Sequence, residues 1–151
     1  MVTVAHILEA KPAMLNTVDA DALVIDALAM LTAVNLSYLI VLDEDKYKGI
    51  FCERDYCRNV VLKNRSSKDT KVGEVMTVDL PMVQVTDTAE HCMETMSLHK
   101  TRYLLAYDDE DFKGVITIHD LLRQVLANRE MVFDHNLAGQ LIDQDEGSKI
   151  F

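Results

Sequence analysis

Hydrophobic and polar positions change rhythm along this chain in the same order twice. Between Asp19 and Asn35, Leu23, Val24, Ala27, Leu28, Leu31 and Val34 recur at helical spacing. Between Thr86 and Lys100 a looser stripe follows, made by Ala89, Cys92, Met93, Met96 and Leu98. After each stripe come two short runs rich in tyrosine and aliphatic residues, 38–42 with 47–52 and 103–107 with 112–117. The pattern predicts these as strands. Acidic turns, Asp43-Glu44-Asp45-Lys46 and Asp108-Asp109-Glu110-Asp111, join each pair as a hairpin. A second helix is predicted at 53–63 and again at 118–129. A short strand ahead of the first helix, at 17–18 and at 82–85, completes a β-α-β-β-α unit.

The two copies align on a heptapeptide that runs from glycine to aspartate. It reads Gly49-Ile50-Phe51-Cys52-Glu53-Arg54-Asp55 first and Gly114-Val115-Ile116-Thr117-Ile118-His119-Asp120 second, 65 positions later. A fixed period of this length means one folded unit used twice. Short helical leaders, Val4-Ala5-His6-Ile7-Leu8 and Val72-Gly73-Glu74-Val75-Met76, precede the units at an offset of 68, so the first copy carries three extra residues near Lys11-Pro12-Ala13. A three-stranded sheet with helices on one side leaves its other face uncovered. Two copies packed sheet to sheet solve that problem, so the expected fold is α+β, a tandem repeat forming a pseudo-twofold pair. The expected boundaries are 2–63 for the first repeat, 64–71 for a polar linker, 72–129 for the second repeat and 130–151 for a C-terminal helix and acidic tail.

Composition narrows the function classes. A formal charge of −10 disfavours generic binding to nucleic-acid polymers. Within that acidic chain, Arg54, Arg58, Lys63, Arg65, Lys68 and Lys71 face only Asp55 and Asp69 in sequence. Such a local excess suits either a small anion site or a solvated helix face. Three cysteines without a Cys-x-x-Cys pair point to a reducing compartment and away from structural zinc. No signal-like segment or span of about 18 apolar residues occurs, so a cytoplasmic protein with no membrane contact is expected. His91 and His99 lack a third ligand at metal-like spacing, so no metal site is expected. Cys52 and Cys57 straddle a strand end and a helix start, which admits a redox switch, but buried thiols behaving as small apolar residues are the preferred reading.

Each heptapeptide closes a strand and opens a helix. A helix start offers free N–H groups that suit phosphate, and an aspartate one turn in can accept from two adjacent hydroxyls, as on a ribose. Glycine lets the strand begin close against a neighbour. These parts suit a nucleotide. A purely local reading also holds: Thr117-Ile118-His119-Asp120 is a capping box, which needs no ligand. Cys52 caps poorly where Thr117 caps well, yet Asp55 persists and needs a partner.

In their order and duplication these motifs resemble the CBS-pair proteins (tandem cystathionine beta-synthase domains) of the stand-alone type. The resemblance covers residues 2–128 and rests on Gly114–Leu121, on Glu53–Leu62, and on Arg65-Ser66-Ser67 followed by Val72–Thr77. It implies a non-catalytic regulatory module that binds an adenosine nucleotide (AMP, ATP or NAD) in the cleft between repeats and signals to a protein partner, as a homodimer. It implies two sites. In one, Asp120 would hold a ribose and Thr117 a phosphate oxygen, His119 would line the phosphate end, and Val83, Tyr103 and Ile116 would enclose adenine. In the other, Asp55 would hold the ribose, with Thr17, Val18, Tyr38 and Ile50 near the base. Arg54 and Arg102 would meet phosphate. Cys52 departs from the family's serine or threonine, so the Asp120 site is expected to be the stronger. The alternative is a ligand-free dimerisation scaffold.

Overall fold

The computed structural model describes residues 1–12, 16–34, 37–127 and 141. The chain divides into two compact units, one made of Met1–Ala13 with Leu80–Phe151 and the other of Met14–Asp79. The elements in chain order are α1 (Val4–Ala10), β1 (Thr17–Asp19), α2 (Val24–Val34), β2 (Tyr38–Asp43), β3 (Lys46–Cys52), α3 (Glu53–Tyr56), β4 (Met82–Gln84), α4 (Ala89–His99), β5 (Tyr103–Asp108), β6 (Asp111–Thr117) and α5 (Ile118–Ala127). The mixed helix-and-strand repeat is therefore present twice. The expected helix at 53–63 is only one turn of α-helix before it widens into a π-helix over Cys57–Val61, and the second leader is a single 3-10 turn, Val72–Glu74. The region from 130 onward lies outside the described residues, apart from Leu141, which is fully buried.

The Met14–Asp79 unit carries a sheet in the order β1-β2-β3, with β1 parallel to β2 and β2 antiparallel to β3. Glu44 and Asp45 adopt φ of 50° and 63° at the hairpin tip, where a two-residue turn needs left-handed backbone. Strand alternation divides the sheet. Val18, Leu39, Val41 and Phe51 face the helix α2, whose Val24, Ala27 and Leu31 complete a single apolar core. Tyr38, Ile40, Ile50 and Cys52 take the opposite face and are buried as well.

The other unit repeats this plan with β4-β5-β6. Val83, Leu104, Ala106 and Ile116 meet Ala89, Cys92, Met93 and Met96 of α4 in its core. Thr88 caps α4 by accepting from the His91 N–H at 3.0 Å. Leu98, part of the stripe predicted from sequence, is instead 79% exposed, because at about 100° per residue it lies almost opposite the face that Met93 and Met96 share.

Sequence repeat and compact unit do not coincide. The first leader, through Val4 and Ile7, packs into the core that holds the second repeat's sheet. The second leader, through Val72 and Val75, packs into the core that holds the first repeat's sheet. Each repeat thus lends its leader to the unit built by the other.

Candidate functional site

The glycine that opens each heptapeptide is explained by the leader lying on it. A Cβ at Gly49 would stand 2.7 Å from the Thr77 carbonyl oxygen and 2.9 Å from Met76 Sδ. At Gly114 it would meet Leu8 Cδ2 at 3.0 Å, and φ is +154° there. Beside Gly49, the Ile50 N–H donates to the Thr77 carbonyl at 2.9 Å and the Thr77 N–H returns the bond at 2.8 Å. Glycine is needed here for close approach of chain to chain.

That approach carries each leader's end to the heptapeptide's aspartate. Asp120 is 5% exposed at the first turn of α5. Its Oδ2 accepts from the Thr117 N–H at 2.9 Å, while the Asp120 N–H donates to Thr117 Oγ1 at 3.2 Å, closing the reciprocal cap. Lys11 Nζ also donates to Asp120 Oδ2, at 2.8 Å, and to the Val115 carbonyl at 2.7 Å. Arg123 Nη1 stands 3.4 Å from Oδ1 and is mostly exposed, a weak contact.

Asp55, also 5% exposed, repeats the plan with different chemistry. Its Oδ2 accepts from the Cys52 N–H at 2.9 Å and from the Cys52 thiol at 3.3 Å. Its Oδ1 accepts from Thr77 Oγ1 at 2.5 Å. The partner that sequence reasoning sought for Asp55 is this threonine hydroxyl. One carboxylate is therefore held by a neutral hydroxyl and the other by an ammonium.

The remaining predicted site residues divide by face. Tyr103 and Thr117 are register partners at the ends of β5 and β6, on one face with Val115. Arg102 holds its guanidinium 5.7 Å above the Tyr103 ring, and its carbonyl accepts from the Ile118 N–H at 3.0 Å. His119 is exposed one residue into α5. Val83 and Ile116 lie on the opposite face, inside the helix-side core, so strand alternation separates them from Tyr103 and Thr117. In the other unit Thr17, Tyr38 and Ile50 share the face of Cys52, with Arg54 half-buried beyond it, while Val18 sits in the helix-side core.

Sequence reasoning passed over Lys11, Thr77 and Val115. Val115 was findable, since it is the 65-residue counterpart of Ile50. Lys11 was signalled only as part of the three-residue surplus in the first copy, with nothing local to tie it to a residue over a hundred positions away.

Two thiols are chemically silenced. Burial pushes Cys52 up to about 11, with the neighbouring Asp55 charge adding to the effect. Burial, then the Asp87 charge, pushes Cys92 to about 12. Cys57 is exposed, contrary to its reading as a buried thiol, because the π-helix turns it outward from the core that takes Val60. A raised pKa leaves about one Cys52 in a thousand as the nucleophilic thiolate at pH 8. Alkylation with iodoacetamide on folded protein should therefore mark Cys57 first, with Cys52 and Cys92 labelled only after denaturation. Peptide mass spectrometry reads the order, and early labelling of Cys52 would contradict its burial. Among the described residues no group of three or more histidine, cysteine, aspartate or glutamate side chains is placed to hold a metal ion, and no helix is long and apolar enough to cross a membrane.

Comparison with known proteins adds lineage to this geometry. A family model for the CBS domain matches residues 4–62 and 72–127. The CBS domain-containing protein CBSX3, mitochondrial, of Arabidopsis thaliana is 32% identical over 111 residues, which cover 70% of this chain and 54% of that protein. The chain thus spans about half the length of that relative. A solved CBS-domain protein from Burkholderia ambifaria is 38% identical with a TM-score of 0.77, covering 88% of this chain and all 100% of that one. The structure of CBSX2 in complex with AMP superposes with a TM-score of 0.71 at 22% identity, over 86% of this chain and 100% of that one, a likeness of fold.

Proposed function

The chain belongs to the CBS domain family, with two copies in tandem, and on that basis we propose that it is a non-catalytic regulatory module for an adenosine nucleotide of the AMP, ATP or NAD type. Occupancy would be passed to a protein partner as a change of conformation, which requires that the nucleotide bind one conformation better than another. The observation that carries this reading is the pair of buried aspartates, Asp55 and Asp120, each at a strand-to-helix junction. A buried carboxylate beside a helix start offers acceptors for sugar hydroxyls and donors for phosphate in one place. The AMP bound in the structure of CBSX2 supports the choice of ligand class. A homodimer in the cytoplasm completes the proposal. Leu126 on α5 and Leu62 beyond the π-helix, 77% and 75% exposed, are apolar positions that a second copy would cover.

A second reading, a scaffold without ligand, is favoured by one specific observation. Both carboxylates already have internal donors, from Lys11 and Thr117 in one unit and from Thr77 and Cys52 in the other. Thermal melting with AMP, ATP, NAD and S-adenosylmethionine decides between them. A nucleotide at about a hundred times its Kd should raise Tm by about 5–10 °C for a protein of this size. No shift with any of the four at millimolar concentration would leave the scaffold standing.

A further inference from the structure

We propose that Lys11 makes the Asp120 site selective for phosphorylated nucleosides over neutral ones; this inference rests on the nucleotide reading above. The ammonium of Lys11 occupies Asp120 Oδ2 at 2.8 Å, and that oxygen also accepts from the Thr117 N–H at 2.9 Å. Oδ2 is thereby filled, and Oδ1 has only the long Arg123 contact. A ribose diol that takes both carboxylate oxygens must displace Lys11 from Oδ2.

Displacement carries an electrostatic cost. The Asp120 side chain is 4% exposed and that of Lys11 21%, so their attraction is little screened by water. A neutral diol replaces the hydrogen bond but not the charge, so the close attraction between the buried carboxylate and the part-buried ammonium is lost. A phosphate on the same ligand removes the penalty, because the flexible lysine stem lets the ammonium follow the new anion. The Val115 carbonyl, 2.7 Å from Nζ, retains the lysine at the mouth of the site during that exchange. At Asp55 the corresponding donor is the Thr77 hydroxyl, whose exchange for a sugar hydroxyl moves no charge. Charge selectivity is accordingly a property of the Asp120 site.

Calorimetry with AMP and with adenosine on the full chain tests this in the wild type and in Lys11→Met, Lys11→Gln and Lys11→Arg. The wild type should prefer AMP by about 10- to 100-fold, the size expected when a charge-assisted contact is gained. Lys11→Met and Lys11→Gln should reduce that preference to within about threefold, through weaker AMP and tighter adenosine binding, and Lys11→Arg should retain it. Equal wild-type affinity for AMP and adenosine overturns the proposal without recourse to any variant. A full AMP preference in the neutral variants also overturns it, while leaving the nucleotide reading intact. If neither compound binds wild type at millimolar concentration, the nucleotide reading fails and this inference fails with it.

Discussion

Asp120→Ala should weaken nucleotide binding by about 100-fold, the loss expected when two hydrogen bonds from sugar hydroxyls to a charged acceptor disappear. Asp55→Ala should cost less than about tenfold, because the Cys52 thiol offers a phosphate far less than the Thr117 hydroxyl does. Isothermal calorimetry on both variants reads the difference, and equal losses would overturn the ranking of the two sites. Asp120→Ala also has a cost in the free protein. It leaves the Thr117 N–H without its acceptor and Lys11 without its counter-ion. With Lys11 partly hydrated, that cost is about 2 kcal/mol. Affinities should therefore be compared at a temperature well below the melting point of the weaker variant.

Phe51→Ala should be the most damaging single truncation in the Met14–Asp79 unit. Phe51 is fully buried on β3, opposite Leu39, in the core completed by Val60 and Leu31. Removing a ring from such a site costs about 3–5 kcal/mol, since the lost burial is joined by the cavity left behind. For a chain of this size the melting temperature should fall by about 10 °C or more. Leu98→Ala, on an exposed face of α4, should change stability by less than about 0.5 kcal/mol. Heat or urea denaturation of the two variants makes the comparison. A small loss for Phe51→Ala would mean that the core collapses around the gap.

The fold was legible because local signals agreed with one another. The helical stripes at 24–31 and 89–96, the tyrosine-led strands and the acidic turns each recur at the same spacing, and each is found where the pattern places it. Duplication converts several weak motifs into one strong signal. The candidate site was legible only where it is local. Thr117 and Asp120 stand three residues apart and form their reciprocal bonds as the capping pattern requires. Lys11 and Thr77 reach their aspartates through tertiary folding, across 109 and 22 positions of sequence, and no periodicity records such a meeting. Val83 and Ile116 show a different limit. Family likeness names residue types around a base, but the twofold alternation of a strand decides which side chains share a face, and here it puts both into the helix-side core. The glycines stand between these cases. Their need for space was evident, but the neighbour that fills it was not, since that neighbour is the borrowed leader.

The exchange of leaders means that neither half of the gene encodes a self-sufficient fold. A fragment ending inside the 64–71 segment would hold Asp55 without the threonine that bonds it and Lys11 without the aspartate it serves. Its Gly49 would open onto water instead of a neighbouring carbonyl, and Val4 and Ile7 would have no core to enter. A single repeat could meet these needs by taking the leader of a sister molecule, so an isolated half of this chain is expected to self-associate.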